Sequence, residues 1–456
     1  MKVNNNISAV TTNNQLLPTE DSLAKSMERL SSGLKINHAK DNPSGMAISN
    51  KMQAQINGLN QASRNSSDGT SVLETADGAL NEVTSMLQRM RELAVQAAND
   101  TNSQEEKEAI QVEIDKLKEE VDRISSTTEF NTKNLLDGSL DNRVYAENVS
   151  RIQISEEVPA GEYAFAIDSA ATQATITGGT IPTTLANSGT ISINGYNVTL
   201  TAGMTQEEVY EAIRNGAEIG EASMGGSATD ALSFVSTAYG TEGIVTIDVD
   251  DADLAAELGL SETQSATGVD AEITLDTTSS FSDSPATATV TYKGNKIEIT
   301  DVGGFEMTMM LDAGATGTVE MNVTTMGPMV LQIGANEGQQ MSVKIPACDT
   351  ESLYIDTVDV TTVFGAARAI TQTDEAIASV NKVRSSLGAY TNRLDSATAS
   401  LDETSENMNS AISRISDVDM ALEMTEYTRL NVLSQTATSA LSQANELPQM
   451  ALQLLQ

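Results

Sequence analysis

The sequence has a single cysteine, Cys348, so no disulfide can close within the chain. A protein of this kind stays in the cytosol or leaves the cell without disulfide support. His38 is the only histidine, which leaves no material for a His-rich or HExxH zinc site and no second candidate for a Ser-His-Asp arrangement. Tryptophan is absent and aromatics make up 3% of residues, so the core must rest on Leu, Ile, Val, Met and Ala. Those residues suit close helix packing better than an aromatic-lined ligand pocket. No enzyme activity and no cofactor or metal site are read from such a composition. Positive charge is also scarce: 26 Lys and Arg face 64 Asp and Glu, a net charge of -38. That balance opposes binding to nucleic-acid phosphates or to an anionic membrane face. Between positions 141 and 360 the only basic residues are Arg143, Arg151, Arg214, Lys293, Lys296 and Lys344, and this region is expected to face solvent. No run approaches eighteen apolar residues, and Met1 to Leu17 holds no apolar signal region. Neither a membrane span nor a cleaved secretory signal is expected, so work outside the cell would need another export route.

What is present is a repeat of seven. Val380, Val383, Leu387, Tyr390, Leu394, Ala397, Leu401, Thr404, Met408, Ala411, Ile415 and Val418 alternate steps of three and four, interrupted only by Thr404. Leu73, Ala76, Leu80, Val83, Leu87, Met90, Ala94 and Ala97 form a second stripe, and Ile110, Ile114, Leu117, Val121 and Ile124 a third. Helices from opposite ends of the chain are expected to lie side by side. The first helix carries Leu16, Leu23 and Leu30 at sevens, with Met27 and Leu34, and meets a boundary near Asn42-Pro43. A second helix from about Ser44 loosens around Ser66-Ser67-Asp68-Gly69, and a long helix follows from about Ser71 to Asn99. A charged helix spans about Gln104 to Ser126. Near the end, the heptad helix from about Thr361 to Ser416 is followed by one holding Leu430, Leu433, Ala437, Ala440, Ala444 and Leu447 and ending at Pro448. Neither terminal segment has chain enough around it to build a core, so their stripes need a partner from outside the monomer.

From about Arg143 to Thr325 the pattern turns to short alternating stretches rich in Thr, Ser and Gly. Val245, Ile247 and Val249 alternate with polar residues, and Val290, Tyr292, Ile297 and Ile299 flank Gly294-Asn295 as in a hairpin. Thr205 to Arg214 reads as a short helix, Thr175 to Thr184 as loop, and Val330 to Gly334 with Met341 to Ile345 as two strands. The run Asp248-Val249-Asp250-Asp251-Ala252-Asp253 has carboxylates at calcium-like spacing but lacks the EF-hand glycine and distal glutamate, which favours a solvated turn. Three Asn-X-Ser/Thr matches, at Asn148, Asn197 and Asn322, are what chance supplies in so Thr- and Ser-rich a chain. The fold class expected is mainly α: a long antiparallel coiled-coil or helical bundle rod from both chain ends, with a mostly β (α+β) outer insert.

At both ends the residues resemble bacterial flagellins. Asn5-Asn6-Ile7-Ser8-Ala9, Leu30 to Asn37, Gly45-Met46-Ala47-Ile48-Ser49 and Gln88 to Ala94 are similar to the N-terminal signatures. Arg384 to Ala389, Asn392-Arg393-Leu394, Ser413 to Ala421 and Gln443 to Gln449 are similar to the C-terminal ones. Ile191 to Gly195, Thr205 to Val209 and Leu232 to Ser236 resemble a small β-α-β module of flagellins and hook-associated proteins. Departures include Leu422 where an acid is common and Ala440 where Met is common.

The resemblance implies a self-assembling filament subunit in the extracellular flagellum, exported by a type III channel. Residues 1–42 and 418–456 would form the inner tube, 43–145 and 328–417 a helical rod domain with a small β-hairpin region, and 146–327 a variable outer insert. It implies filament packing through Leu23, Met27, Leu30, Leu34, Leu430, Leu433, Ala437, Ala440 and Leu447. Its partners would be further copies of itself, hook-associated and cap proteins, and an export chaperone at the C-terminal segment. Gln88, Arg89, Leu93, Glu113, Glu82 and Ile110 match the surface that Toll-like receptor 5 reads in flagellins able to stimulate it. A hook-filament junction protein is the nearest alternative, and an insert-borne adhesin or enzyme a more distant one.

Overall fold

A computed structural model of the protein describes residues 6–99, 101–276, 279–282, 288–301, 303–362 and 364–453, the last few turns in part by backbone alone. Among the described residues seven α-helices run in the order α1 (Ile7–Ser32), α2 (Pro43–Ala97), α3 (Gln104–Thr127), α4 (Gln206–Ile219), α5 (Ala252–Leu258), α6 (Gly365–Ser416) and α7 (Met420–Gln453). Strands fill the middle, so the chain is mainly α with a strand-rich insert. Among the described residues no helix is long and apolar enough to cross a membrane. The chain divides into two compact units, one of residues 1–68, 332–340 and 394–456, the other of residues 69–331 and 341–393.

The boundary at Asn42 is a helix start. Asn42 Oδ1 accepts from Gly45 N at 2.9 Å, and Pro43 opens α2, where its missing amide hydrogen costs nothing. The expected loosening at Ser66 to Gly69 does not occur, for α2 is one helix of 55 residues. Its serines do not break it because their hydroxyls return to the helix itself: Ser66 Oγ donates to Ala62 O at 3.0 Å and Ser67 Oγ to Ser63 O at 3.1 Å. α2 and α6 run antiparallel. In the first unit Ser63 bonds Asp402 and Ser405 bonds Asn60, and in the second Arg384 pairs with Asp77 and Arg91 with Asp374. The α6 stripe holds through Leu394, but at the fourth heptad the buried position is Ser405, with Thr404 exposed. A 3.6-residue helix drifts against a seven-residue repeat, and the polar bond to Asn60 fixes the shifted position.

In the second unit Leu73, Ala76, Leu80, Val83, Leu87, Met90, Ala94 and Ala97 are all buried, as are Ile110, Ile114 and Val121 of α3. α3 begins with a capping box in which Ser103 and Glu106 satisfy each other's backbone. Within the first unit, the segment after Met329–Gln332 turns back against α2. Asn65 Nδ2 donates to Gln332 O at 3.1 Å, and a Cβ on Gly58 would meet the Ala335 methyl at 3.0 Å.

The insert has two cores. One forms between two four-stranded sheets: Glu272–Leu275, Gly161–Ser169, Gly317–Thr324 and Arg143–Ala146 in one, Thr289–Lys293, Lys296–Thr300, Glu306–Leu311 and Val149–Ile154 in the other. The expected hairpin is present, with Val290 opposite Ile299 and Tyr292 opposite Ile297. The second core is nested between these strands and surrounds α4 and α5. Its hairpin, Gly189–Ile193 with Tyr196–Leu200, turns through Asn194 (φ 51°) and Gly195 (φ 87°), the left-handed pair that a two-residue turn requires. Asn194 also bonds Gly220 O, Ile244 O and Thr246 N with its side chain. α4 has its own capping box from Thr205 and Glu208. Thr175 to Thr184, expected as loop, supplies most of strand Gln173–Thr180, which pairs with Ala231–Tyr239 because Ile176 finds a buried place there. The acidic run ends a strand and starts a helix: Asp251 caps α5, Asp250 accepts from Thr190 N and Asp248 from the Thr263 hydroxyl. α7 likewise passes the expected stop at Pro448 and reaches Gln453.

Three of the insert's four basic residues, Arg151, Lys293 and Lys296, converge. Lys293 and Lys296, at the ends of the hairpin turn, contact Glu375 of α6 at 3.0 and 3.3 Å, and Arg151 pairs with Asp356 at 2.6 Å. Arg368 of α6 reaches Glu221 at the end of α4 at 3.0 Å, and Lys296 lies 4.5 Å from the centroid of the Tyr354 ring. Burial pushes the Glu375 carboxyl up, but the hydrogen bond and charge of Lys293 and the charge of Lys296 outweigh it and hold Glu375 below the usual glutamate value. A carboxyl lowered on folding contributes above its unfolded value and loses that contribution as pH falls through the folded one. Glu375→Gln is therefore expected to cost about 1 kcal/mol near neutral pH, discounted for solvent exposure, and little in 1 M salt. Denaturant unfolding at both salt concentrations measures it, and an unchanged midpoint at low salt contradicts it.

Cys348 is buried, and burial with the nearby charges of Asp349 and Asp141 pushes its thiol up to about 12. The thiolate is the reactive form. At pH 8 a maleimide is expected to leave the folded chain unlabelled and to label it fully in denaturant; rapid labelling of the folded chain would contradict this.

Candidate functional site

The terminal helices form a pair within the first unit. α1 turns its Leu16, Leu23 and Leu30 toward α7, whose Leu430, Ala437 and Ala444 answer at the same interval of seven, so each helix keeps one seam on the other. Leu16, Leu430 and Ala444 are buried, Leu23, Leu30 and Ala437 half-buried. The stripes thus find part of their partner inside the monomer, contrary to the expectation that both look outward, because two antiparallel helices with matching sevens can face each other. Gly33 ends α1 in the left-handed conformation (φ 73°), its carbonyl accepts from Val418 N at 3.0 Å, and Lys35 N donates to Ser416 O at 2.6 Å. Leu34 and Asp417 form an antiparallel bridge there. Arg29 lies 3.9 Å from Glu423, and at the far end Asn6 Nδ2 donates to Ala444 O at 2.7 Å. His38 takes Glu28 as its partner at 2.8 Å.

The seam uses only part of the apolar surface. Met27 is 52% exposed, Leu433 43% and Leu422 71%, and Leu34 and Ala440 also face outward. Val10, Leu17 and Val432, which the stripe reading did not single out, are exposed as well. They lie off the seven-residue seam, and only their apolar character on a polar helix face signals them. The Leu447 side chain lies outside the described residues. Large exposed apolar patches on soluble proteins commonly mark interaction surfaces.

A second surface lies on α2 and α3. Arg89 Nε and Nη2 both donate to Glu113 Oε1, at 3.0 and 2.8 Å, and Nη1 donates to Glu92 at 3.2 Å. The hydrogen bonds that Arg89 donates to Glu113 raise its guanidinium above the usual value, so it is charged throughout. Gln88 and Glu82 are exposed. Leu93 and Ile110 are not surface residues: they are buried and form the floor of an open groove of about 280 Å³ edged by Gln96, Asn102, Glu106 and Glu113. Leu93 follows Met90 by three residues and so falls beside the packed stripe, where it is buried. Val95 and Val112 are exposed large apolar side chains on the second-unit part of α2 and on α3. Val95 stands seven residues beyond Gln88 and hence on the same side of α2, a relation the sequence contained.

Among known families, the model of the bacterial flagellin N-terminal helical region matches residues 3–141, and that of the C-terminal helical region matches residues 370–455. Flagellin of Clostridium tyrobutyricum is 35% identical, covering 98% of this chain and 99% of the relative. Flagellin B of Vibrio anguillarum is 33% identical over 100% and 99%. Flagellin of Salmonella typhimurium is 32% identical over 99% of each. Of solved structures, FliC from Burkholderia pseudomallei is 19% identical and covers 71% of this chain and 99% of that one, at a TM-score of 0.24. These relatives carry the name flagellin rather than that of a junction protein, and they match this sequence from end to end. The chain belongs to the bacterial flagellins, the structural subunits of the flagellar filament.

Proposed function

We propose that the chain polymerises outside the cell through its terminal helix pair. The observation that carries this reading is the apolar surface that the pair leaves uncovered. Leu422, Val432 and Leu433 of α7, and Leu17 and Met27 of α1, stand in water on a helix pair with a thin seam. A head-to-tail interface that does not close on itself generates a helical filament, and covering these side chains supplies its driving force. Leu23, Leu30, Leu430, Ala437 and Ala440 belong to the same packing set, with residues 1–42 and 418–456 as the inner tube and 146–327 as the outer insert. Before assembly an export chaperone would cover the C-terminal segment, and hook-associated and cap proteins would offer the same kind of surface at the filament's two ends. No catalytic role is assigned. Replacing Leu433 by Ser leaves the α1–α7 seam in place and removes one of the docking side chains. Polymer yield is expected to fall at least tenfold while the unfolding midpoint of the second unit stays put. Unchanged polymerisation would contradict the docking reading.

The α2–α3 surface is proposed to bind Toll-like receptor 5 when the subunit is free. Arg89 supports this because Glu113 and Glu92 hold its guanidinium in place, so little side-chain freedom is lost on contact. Gln88, Glu82 and Glu113 would flank it, with Leu93 and Ile110 acting from the groove floor. An anchoring arginine contributes about 2 kcal/mol or more, so Arg89→Ala is expected to weaken binding to the receptor ectodomain at least tenfold. Arg214→Ala, in the insert, is the control. Equal binding by parent and Arg89→Ala would remove this surface from the proposal.

A further inference from the structure

A proline inside a helix leaves the carbonyl four residues earlier without its amide donor. α7 continues through position 448, so Pro448 deprives the carbonyl of Ala444. Ala444 is buried, at 7% exposure, and a buried carbonyl left unpaired is costly. Its donor comes from the other end of the chain, where Asn6 Nδ2 donates to Ala444 O at 2.7 Å. The opposite half of the same amide is also used: Asn6 Oδ1 accepts from Ala9 N at 3.2 Å and caps α1. Pro18 in α1 makes the contrast. The carbonyl it deprives belongs to Asn14, which is exposed and has water available.

The apolar repeat by itself does not set the register: the backbone bonds of Gly33 and Lys35 with Val418 and Ser416 pin one end of the pair, and the far end needs a pin of its own. Leu16, Leu23 and Leu30 repeat every seven residues against Leu430, Ala437 and Ala444, so sliding one helix by seven along the other keeps apolar residues opposite apolar residues. In coiled coils a single polar residue commonly decides between such alignments. We propose that Asn6 is a positioning residue that holds the longitudinal register of α1 on α7 at the end away from Gly33, by supplying the amide hydrogen that Pro448 withholds from Ala444. The other carbonyls of the α7 interior already receive a donor from their own helix. A slipped α1 would leave Ala444 O unpaired and place Asn6 against a carbonyl that has no vacancy of this kind.

Asn6→Asp separates the two halves of the amide. Aspartate still caps α1, and its charge at the helix N-terminus favours that helix, so any loss reports on the missing donor. In the full-length chain Asn6→Asp is expected to speed amide exchange across residues 9–30 at least tenfold, in the soluble chain or in the polymer, and to lower polymer yield. Pro448→Ala restores an amide hydrogen to Ala444 from within α7. The double variant Asn6→Asp with Pro448→Ala is expected to return exchange and yield to within threefold of the parent, and Pro448→Ala alone to stay near the parent. Exchange and yield in Asn6→Asp equal to those of the parent would overturn the proposal, as would a double variant no better than Asn6→Asp. The polymer readout rests on the docking reading; exchange in the soluble chain does not, so the two can fail separately.

Discussion

The thin seam between α1 and α7 is the constraint on which the protein's behaviour depends. A 26-residue and a 34-residue helix share a contact in which Leu16, Leu430 and Ala444 are the only fully buried apolar side chains described. The α2 stripe buries eight in 25 residues, from Leu73 to Ala97. Ordering a residue costs about 1–2 kcal/mol of backbone entropy, and isolated helices are marginal in water. The helix pair is thus poorly supported by its own contacts and gains most from a surface that covers Met27, Leu422 and Leu433. The chain packs most densely along α2 and most thinly along the terminal pair, the surface that the proposed assembly would cover.

Charge divides the molecule along similar lines. With a net charge of -38, exposed faces of neighbouring copies repel, and the repulsion falls as salt screens it. Against that background Arg151, Lys293 and Lys296 are gathered where the insert meets α6 and the segment before it, each opposite a carboxylate. Each such pair is weak when exposed to solvent. Several sharing Glu375 and the Tyr354 ring hold the hairpin turn to α6 while leaving the rest of the insert acidic and solvated.

Much of this was legible in the sequence, and the failures have causes. The stripe from Leu73 to Ala97 is buried as its spacing predicts, as are those from Ile110 to Val121 and from Val380 to Leu394 but for the half-buried Leu117 and Val383, because a repeat sustained over several turns leaves a helix one face to hide. The break expected at Ser66 to Gly69 did not occur: serine favours turns only when its hydroxyl competes for the backbone, and here it bonds the carbonyl one turn back. Pro448 did not stop α7 because the missing donor is replaced from residue 6, 438 positions away, which no local pattern reveals. Thr175 to Thr180 became strand by pairing with a distant segment, and Asp251 became a helix cap only because Leu254, Ala255 and Leu258 found a core. On the α2–α3 surface Arg89 and Glu113 meet, whereas Leu93 is buried, and a match of residue types does not distinguish a surface residue from the floor beneath it.

The most direct test of the central claim is negative-stain electron microscopy of the purified chain against a chain lacking residues 1–33 and 418–456, under conditions that promote assembly. The full chain is expected to form long helical filaments, and the trimmed chain to remain monomeric with the thermal transition of its second unit intact. Filaments from the trimmed chain, or a folded full-length chain that never polymerises, would contradict the account.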